Sequence, residues 1–143
     1  IKNMSKNYEK VLSYVKDISI ETPNAETYLA IQKNINKYNM DIDIKSIPLK
    51  NEIIEVNTKI ALQDKTENKN KSFFEITYAT LIKMLPGIKD KNVIRKTVLC
   101  DVQNDIYPTI EELFLNILKN SGYEQIKFEK KVDFEKLFNK NVK

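Results

Sequence analysis

The sequence contains no histidine, one cysteine, one arginine and two glycines among its 143 residues. Without histidine the chain lacks the commonest general base and metal ligand, and Cys100 alone cannot complete a tetrahedral zinc site. There is no second cysteine for an intrachain disulfide, so a reducing compartment is the simplest setting. Gly87 and Gly122 are too far apart to form a glycine-rich phosphate loop. We therefore expect a protein that is not an enzyme and that binds no cofactor and no metal.

Long hydrophobic runs are also missing from the sequence. None approaches the ~18 residues that a membrane-spanning helix needs, so we expect no direct insertion into a membrane. Apolar residues make up 41% of the chain and charged residues 31%, which is typical of a folded domain. The length predicts a single domain over residues 1–143, with residues 1–10 frayed.

The net charge of +4 leaves open a basic α+β domain that binds nucleic acid. Arg95 is the only arginine, and every other basic residue is lysine. Proteins that read bases and phosphates favour arginine because its planar guanidinium group forms bidentate hydrogen bonds. Nucleic acid is therefore not the expected partner, although nucleic-acid binding is kept as an alternative function.

Alternation of apolar and polar residues predicts four β-strands. Their predicted bounds are Val11–Thr22, Asn39–Ile47, Ile53–Gln63 and Ser72–Lys83. The polar segment Asp64–Lys71 predicts the turn of a long hairpin, and short connections predict an antiparallel meander. The segment Asn24–Lys37 fits either a short helical turn or an irregular crossing.

The sequence pattern becomes helical after Pro86. Asn92–Leu99 predicts a short helix, and Asp105–Ser121 predicts a long helix that is capped by Asp105 and has Pro108 in its first turn. Gly122–Val132 predicts a loop, and Asp133 is expected to cap a closing helix that ends near residue 140. The apolar stripe of the long helix, which Tyr107 and Leu115 widen, either lies in the core or contacts another copy.

The first predicted strand ends with two carboxylates on one face. Side chains in a strand alternate between faces, so Leu12, Tyr14, Ile18 and Ile20 are expected on one face and Val15, Asp17, Ser19 and Glu21 on the other. Asp17 and Glu21 are about 13 Å apart along an extended strand, whereas paired catalytic carboxylates lie about 5 to 9.5 Å apart. The two groups are therefore either solvated or suited to receive separate basic side chains of a partner.

The fourth predicted strand carries large apolar residues on both faces. Phe74, Ile76 and Tyr78 share one face, and Phe73 and Glu75 share the other. Such a strand is either buried on both sides or contacts a partner on one side.

Three segments then point to a family. They are KDISIETPNA (Lys16–Ala25), FFEITYATL (Phe73–Leu81) and DIYPTIEELFLNIL (Asp105–Leu118) followed by VDFEKLF (Val132–Phe138). Their order and spacing resemble the SecB family of bacterial protein-export chaperones, and the resemblance covers the chain from about Tyr14 to Phe138.

The resemblance implies an α+β fold, with a four-stranded antiparallel sheet, a long helix and a short C-terminal helix. It implies a cytoplasmic homotetramer, a dimer of dimers, that binds unfolded preproteins in apolar grooves without ATP and delivers them to the SecA ATPase. The implied SecA-binding residues are Asp17, Glu21, Phe73 and Glu75. The residues assigned to the subunit interface are Phe74, Ile76 and Tyr78, with Tyr107 and Leu115 added from the stripe of the long helix. The implied client-groove residues are Phe134, Leu137 and Phe138.

The chain departs from the family pattern in several ways. It is basic where SecB proteins are commonly acidic, Phe73 replaces a smaller aliphatic residue, and Ala79-Thr80 replaces a usual Gly-Gly step. A SecB-like chaperone dedicated to one client, such as an antitoxin, is therefore an alternative. The retained Asp17, Glu21 and Glu75 argue against it, because such a chaperone could lose the SecA site.

Overall fold

A computed structural model of the chain describes residues 6–34, 38–64, 72–124, 126–128 and 132–141. Within these residues, four strands form one antiparallel sheet, and helices pack on one face of it. The strands are β1 (Tyr8–Glu21), β2 (Tyr38–Pro48), β3 (Ile53–Asp64) and β4 (Phe73–Met84). The helices are α1 (Ala25–Asn34), α2 (Lys91–Lys96), α3 (Val102–Asn120) and α4 (Phe134–Asn141).

The strand order across the sheet is β1-β4-β3-β2. Strands β2, β3 and β4 form the predicted meander, but β1 pairs with β4 at the edge opposite β2, so the prediction of a meander through all four strands is wrong. The reason lies in α1, which occupies the ambiguous segment after β1 and is capped by the Asn24 side chain accepting from the Thr27 N–H at 2.8 Å. A helix of this length spans about 15 Å, close to the width of four strands, so it can carry the chain from one edge to the other.

Strand β1 begins at Tyr8, three residues before the predicted start. Tyr8 is 5% exposed, and its hydroxyl donates to the Asp105 carboxylate. Residues 8–10 are therefore ordered parts of the sheet and not frayed as expected, while residues 1–5 lie outside the described residues. Residues 65–71 of the predicted turn, and residues 125 and 129–131 of the predicted loop, also lie outside them.

The two predicted helices after β4 are parts of one helix of 30 residues. A π-helical segment, Thr97–Asp101, joins α2 to α3 and is marked by the Val102 N–H donating to the Thr97 carbonyl. The predicted cap at Asp105 is wrong, because Asp105 lies inside α3 and the helix is capped by Asp90. The extra residue of a π turn shifts the helical period, which explains why the sequence pattern appears broken here.

Helix α4 is capped as predicted. The Asp133 carboxylate accepts from the Lys136 N–H at 3.0 Å, and the helix ends at Asn141.

The core lies between the sheet and α3. Its fully buried members include Val56, Ile60, Phe74, Ile76 and Ile82 from the sheet and Ile110, Phe114 and Leu118 from α3. A buried hydrogen bond of 2.9 Å from the Thr58 hydroxyl to the Gln103 side-chain oxygen joins β3 to the start of α3. The opposite face of the sheet, which we call the open face, is covered by no described helix and displays the candidate site.

Candidate partner-binding face

The pairing register of the strands shows which residues share the open face, because directly opposed residues of neighbouring strands lie on the same side of a sheet. Three opposed pairs of β1 and β4 lie there: Asp17 with Thr77, Ser19 with Glu75, and Glu21 with Phe73. The structure therefore brings the four predicted SecA-binding residues, Asp17, Glu21, Phe73 and Glu75, to one end of the open face.

These four residues are available to a partner to different degrees. Asp17 and Glu21 are exposed, and Phe73 is 42% exposed. The Ser19 hydroxyl donates to the Asp17 carboxylate at 3.2 Å, which orients that group. Glu75 is half-buried. Two exposed carboxylates beside an exposed aromatic ring can receive basic side chains together with an apolar contact.

The predicted faces of β1 are wrong in the first half of the strand. Register shifts lie between Lys10 and Leu12 and between Val15 and Asp17. Each bulge adds one residue to β1 and reverses the alternation of side chains. Leu12 and Tyr14 therefore share the open face with Asp17, and are not on the core face with Ile18 and Ile20.

The open face is acidic although the chain as a whole is basic. Among the described strand residues, the register places seven carboxylates and four lysines on it, an excess of three negative charges. The carboxylates belong to Glu9, Asp17, Glu21, Asp41, Asp43, Glu55 and Glu75, and the lysines are Lys16, Lys45, Lys59 and Lys83. The sequence did not reveal this separation of charge, because it depends on the register between strands that are distant in the chain.

One ion pair of the open face is well formed. The Lys16 ammonium lies 2.7 Å from a carboxylate oxygen of Glu55, although β4 separates their strands. The Asn57 amide donates to the same oxygen at 2.8 Å. These bonds, first that from Lys16, hold the pKa of the Glu55 carboxyl below its usual value, and the Glu55 carboxylate raises the pKa of Lys16.

Two longer ion pairs lie on the same face. Lys59 is 3.9 Å from Glu75, and Lys45 is 3.8 Å from Asp43. Exposed pairs of this kind contribute little free energy, so a partner can displace their lysines at small cost.

A shallow cavity of 300 Å³ lies in the open face. It is lined by Lys16, Asp17, Asp43, Lys45, Asn57, Lys59 and Thr77. The side-chain oxygen of Asn57 is buried there and has no hydrogen-bond partner among the described residues. Asn57 and Asp17 both line the cavity, but the Asn57 oxygen has almost no accessible surface, so the Asp17 carboxylate is the acceptor that a partner can reach.

The residues predicted for a subunit interface divide into two groups. Phe74 and Ile76 have no exposed surface, and the Phe74 ring contacts the Tyr123 ring at 4.9 Å between centroids. Both are core residues, and their assignment to an interface is corrected on that ground, because they have no surface to offer a second chain. Tyr78 and Leu115 keep part of their surface.

Tyr107, the fifth predicted interface residue, is also mostly buried. Its hydroxyl donates to the Met40 sulfur at 3.4 Å. Burial, with a smaller effect from Glu111, raises the pKa of Tyr107 to about 12. This side chain therefore fixes β2 against α3 inside the chain.

The predicted client-groove residues are also separated by the structure. Phe134 is buried, and its ring packs edge-on against Tyr107 with the centroids 5.5 Å apart. Leu137 is exposed and Phe138 is half-buried. Phe134 thus anchors α4 to α3, while Leu137 and Phe138 are the members that retain accessible surface.

The free edge of β1 is a feature that sequence reasoning missed. This strand of 14 residues lies at the edge of the sheet, and its Val11, Leu12, Tyr14 and Val15 are each at least 40% exposed. The period-2 pattern conceals the two bulges that turn Leu12 and Tyr14 onto the open face. Val15 pairs with Tyr78 on the other face and is exposed because it lies at the sheet edge, so the sequence contained no usable signal for this patch.

The described residues contain no group of three His, Cys, Asp or Glu side chains placed to hold a metal ion. No helix among them combines the length and the hydrophobicity that a membrane span requires. Cys100 is buried, and desolvation raises the pKa of its thiol.

Comparison with known proteins identifies the family. The family model described as preprotein translocase subunit SecB matches residues 3–143. The putative protein-export protein SecB of Pelagibacter ubique is 47% identical over 135 residues, which cover 94% of this chain and 96% of that protein. The protein-export protein SecB of Xanthobacter autotrophicus is 24% identical, with 98% of this chain and 88% of that protein covered.

A solved structure supports the fold. The SecB-like chaperone of Mycobacterium tuberculosis, in complex with a peptide from an antitoxin, matches with a TM-score of 0.59 and 10% identity, over 87% of this chain and 91% of that one. The class that these matches define is that of protein-export chaperones. The chain belongs to the SecB family, and the predicted family and the predicted α+β fold are confirmed.

Proposed function

We propose that this protein is an ATP-independent holdase that binds unfolded secretory preproteins and delivers them to the SecA ATPase in the bacterial cytoplasm. Family membership supports the chaperone role. The observation that carries the proposal of SecA delivery is the acidic end of the open face, where Asp17, Glu21, Phe73 and Glu75 lie together.

The open face can attract a basic segment of SecA although the chain as a whole carries a net charge of +4. Electrostatic attraction between exposed groups acts over a Debye length of about 8–10 Å, so a docking partner responds to the local charge and not to the total of +4. A basic segment of SecA would meet an excess of carboxylates on this face, and the exposed Phe73 ring would add an apolar contact.

Client binding is proposed to use apolar surface. Leu137 and Phe138 of α4 retain accessible surface on the helical side of the molecule. Burial of apolar area is non-directional and worth about 25 cal/mol per Å², so such a surface suits many unrelated unfolded chains. No nucleotide is needed, because the free energy of binding comes from the burial itself.

The protein is further proposed to assemble as a homotetramer, a dimer of dimers. The free edge of β1 supports this proposal, because unpaired strand edges with exposed apolar side chains readily pair with another strand. Tyr78 and Leu115 remain candidates for the contacts between subunits. Light scattering at micromolar concentration should give the mass of four chains, and a monomer would contradict the proposed assembly.

The holdase activity is tested by the aggregation of an unfolded preprotein in the absence of nucleotide. We expect aggregation to slow when the chaperone is present at a stoichiometric ratio. An unchanged rate of aggregation would overturn the holdase proposal.

SecA delivery is tested by reversing charge on the open face. Asp17→Lys and Glu75→Lys should each weaken SecA binding, measured by calorimetry, while suppression of aggregation stays unchanged. Glu112→Lys makes the same charge change at an exposed position of α3 and serves as the control. If both open-face variants bound SecA as tightly as the control does, the assignment of these residues would be wrong.

A chaperone dedicated to one client remains the second candidate, and the fold shared with the antitoxin-binding M. tuberculosis protein favours it. The family assignment favours either chaperone function over the nucleic-acid-binding alternative. Measuring how well the protein suppresses the aggregation of several unrelated unfolded proteins should separate the two candidate functions. Protection of a single client combined with no SecA binding would support the dedicated chaperone.

A further inference from the structure

Lys16 occupies an unexpected position for a residue next to Asp17. The two are neighbours at the second bulge of β1, and both line the cavity in the open face. Adjacent opposite charges on one side of a strand would ordinarily attract each other. Lys16 is instead paired with Glu55, and no ion pair of the described residues joins it to Asp17.

Glu55 is well placed to hold this lysine. Its side chain is only 12% exposed, and the oxygen that binds Lys16 also accepts the 2.8 Å hydrogen bond from Asn57. Glu55 lies opposite Leu81 of β4, so the Lys16 side chain crosses β4 to reach it. At 2.7 Å this is the shortest ion pair of the described residues, and charge-assisted hydrogen bonds of such length are the strong ones.

The consequence concerns the charge that a partner meets at Asp17. A released Lys16 ammonium could turn back to its neighbour and neutralise the Asp17 carboxylate. It would then compete directly with any basic side chain that arrives from a partner.

We propose that Glu55 is a positioning residue for docking: it holds Lys16 across β4 and thereby leaves the Asp17 carboxylate free to receive a basic side chain of the partner. This inference rests on the proposed SecA-binding function of the open face. Glu55 need not touch the partner, since it acts through Lys16.

The test compares Glu55→Gln with Asp43→Asn, which also removes one carboxylate from the open face. Binding of purified SecA by the intact chaperone is measured by calorimetry at low salt. We expect Glu55→Gln to weaken binding about fivefold, in the range of a well-formed ion pair at a surface, and Asp43→Asn to weaken it less than about twofold. Adding Lys16→Met to Glu55→Gln should restore the affinity to within about twofold of Lys16→Met alone.

A crystal structure of the Glu55→Gln variant supplies a readout that does not depend on SecA. It should show the Lys16 ammonium against the Asp17 carboxylate. A Lys16 side chain that points into solvent would overturn the inference even if SecA binding were weakened.

The remaining outcomes separate the inference from the proposed function. If the wild-type protein binds SecA and Glu55→Gln weakens binding equally with and without the Lys16→Met substitution, Glu55 acts by its own charge and the inference is overturned. If the wild-type protein suppresses aggregation but binds no SecA, the proposed SecA function fails, and the docking role of Glu55 fails with it.

Discussion

The two faces of the sheet are built from the same four strands but differ in burial and in charge. On the covered face, residues such as Phe74 and Ile76 have no exposed surface and pack against the helices. On the open face, the intervening residues Phe73 and Glu75 lie among charged side chains. Alternation along one strand thus separates the residues that stabilise the fold from those available to a partner, and substitutions on the two faces should have separable effects.

The largest expected difference in stability is between alanine substitutions at two neighbouring phenylalanines of β4. Phe74→Ala should lower the free energy of unfolding by about 3–5 kcal/mol, because it leaves a cavity in a packed core. Phe73→Ala should lower it by less than about 1 kcal/mol, because that ring is already 42% exposed. Urea denaturation followed by circular dichroism, at one protein concentration, measures both. Equal losses would contradict the separation of the two faces.

A second prediction concerns the covered face at alkaline pH. The pKa of Tyr107 is about 12 in the folded chain, whereas an unfolded tyrosine has a pKa of about 10. The stabilisation linked to this group is therefore complete below pH ~10 and is lost as the pH rises towards 12, by about 2–3 kcal/mol.

Tyr107→Phe removes this titration and is the matched variant. The wild-type protein should lose more stability than the variant between pH 10 and 12, as measured by urea denaturation at each pH. Parallel pH profiles for the two proteins would show that the Tyr107 phenol does not govern stability in this range.

Two threonines provide a comparison of hydrogen bonding on the two faces. Thr58→Val leaves the buried Gln103 oxygen without its donor, which should cost about 1–3 kcal/mol. Thr77→Val changes a half-buried threonine of the open face and should alter stability by less than about 0.5 kcal/mol. Thermal unfolding of the two variants measures the difference, and similar melting temperatures would contradict it.

The smallest expected effect on stability comes from breaking the Lys16–Glu55 ion pair of the open face. Because the pKa of Glu55 is lowered in the folded chain, its stabilising contribution is present above the unfolded pKa of about 4.3 and is lost as the pH falls through the folded value. Glu55→Gln should therefore flatten the pH dependence of stability slightly below pH 4.5. If stability fell more steeply with decreasing pH in the variant than in the wild-type protein, this prediction would be contradicted.

Much of the sheet could be predicted from the sequence because β2, β3 and β4 alternate without interruption. The faces of β1 could not be predicted, since a bulge changes which side a residue occupies without changing its apolar or polar character. The position of β1 beside β4 depends on α1, whose sequence fits a helix and an irregular crossing equally well. The helix of 30 residues was missed because Thr97–Asp101 interrupts its period.

The candidate site could be predicted only in part, because the sequence shows which residues of one strand share a face but not which strands pair. Asp17, Glu21, Phe73 and Glu75 could be placed on one surface from strand parity and from the family resemblance, and the register agrees. The Lys16–Glu55 pair could not be predicted, because it spans 39 residues of sequence and depends on the pairing of β3, β4 and β1 together. Phe74 and Ile76 were assigned to an interface from the family resemblance. Strand parity places them on one face, but it does not show that the chain's own helices cover that face.

The π-helical segment Thr97–Asp101 sets the rotational phase between the two ends of the long helix. One residue corresponds to about 100° of rotation about a helical axis. Removing a single residue here would leave a regular helix in which Val98, now buried, would turn away from the sheet while Ile110 and Phe114 kept their places. Chain length in this segment is therefore as constrained as residue type, so a one-residue deletion should be more damaging than any conservative substitution within it.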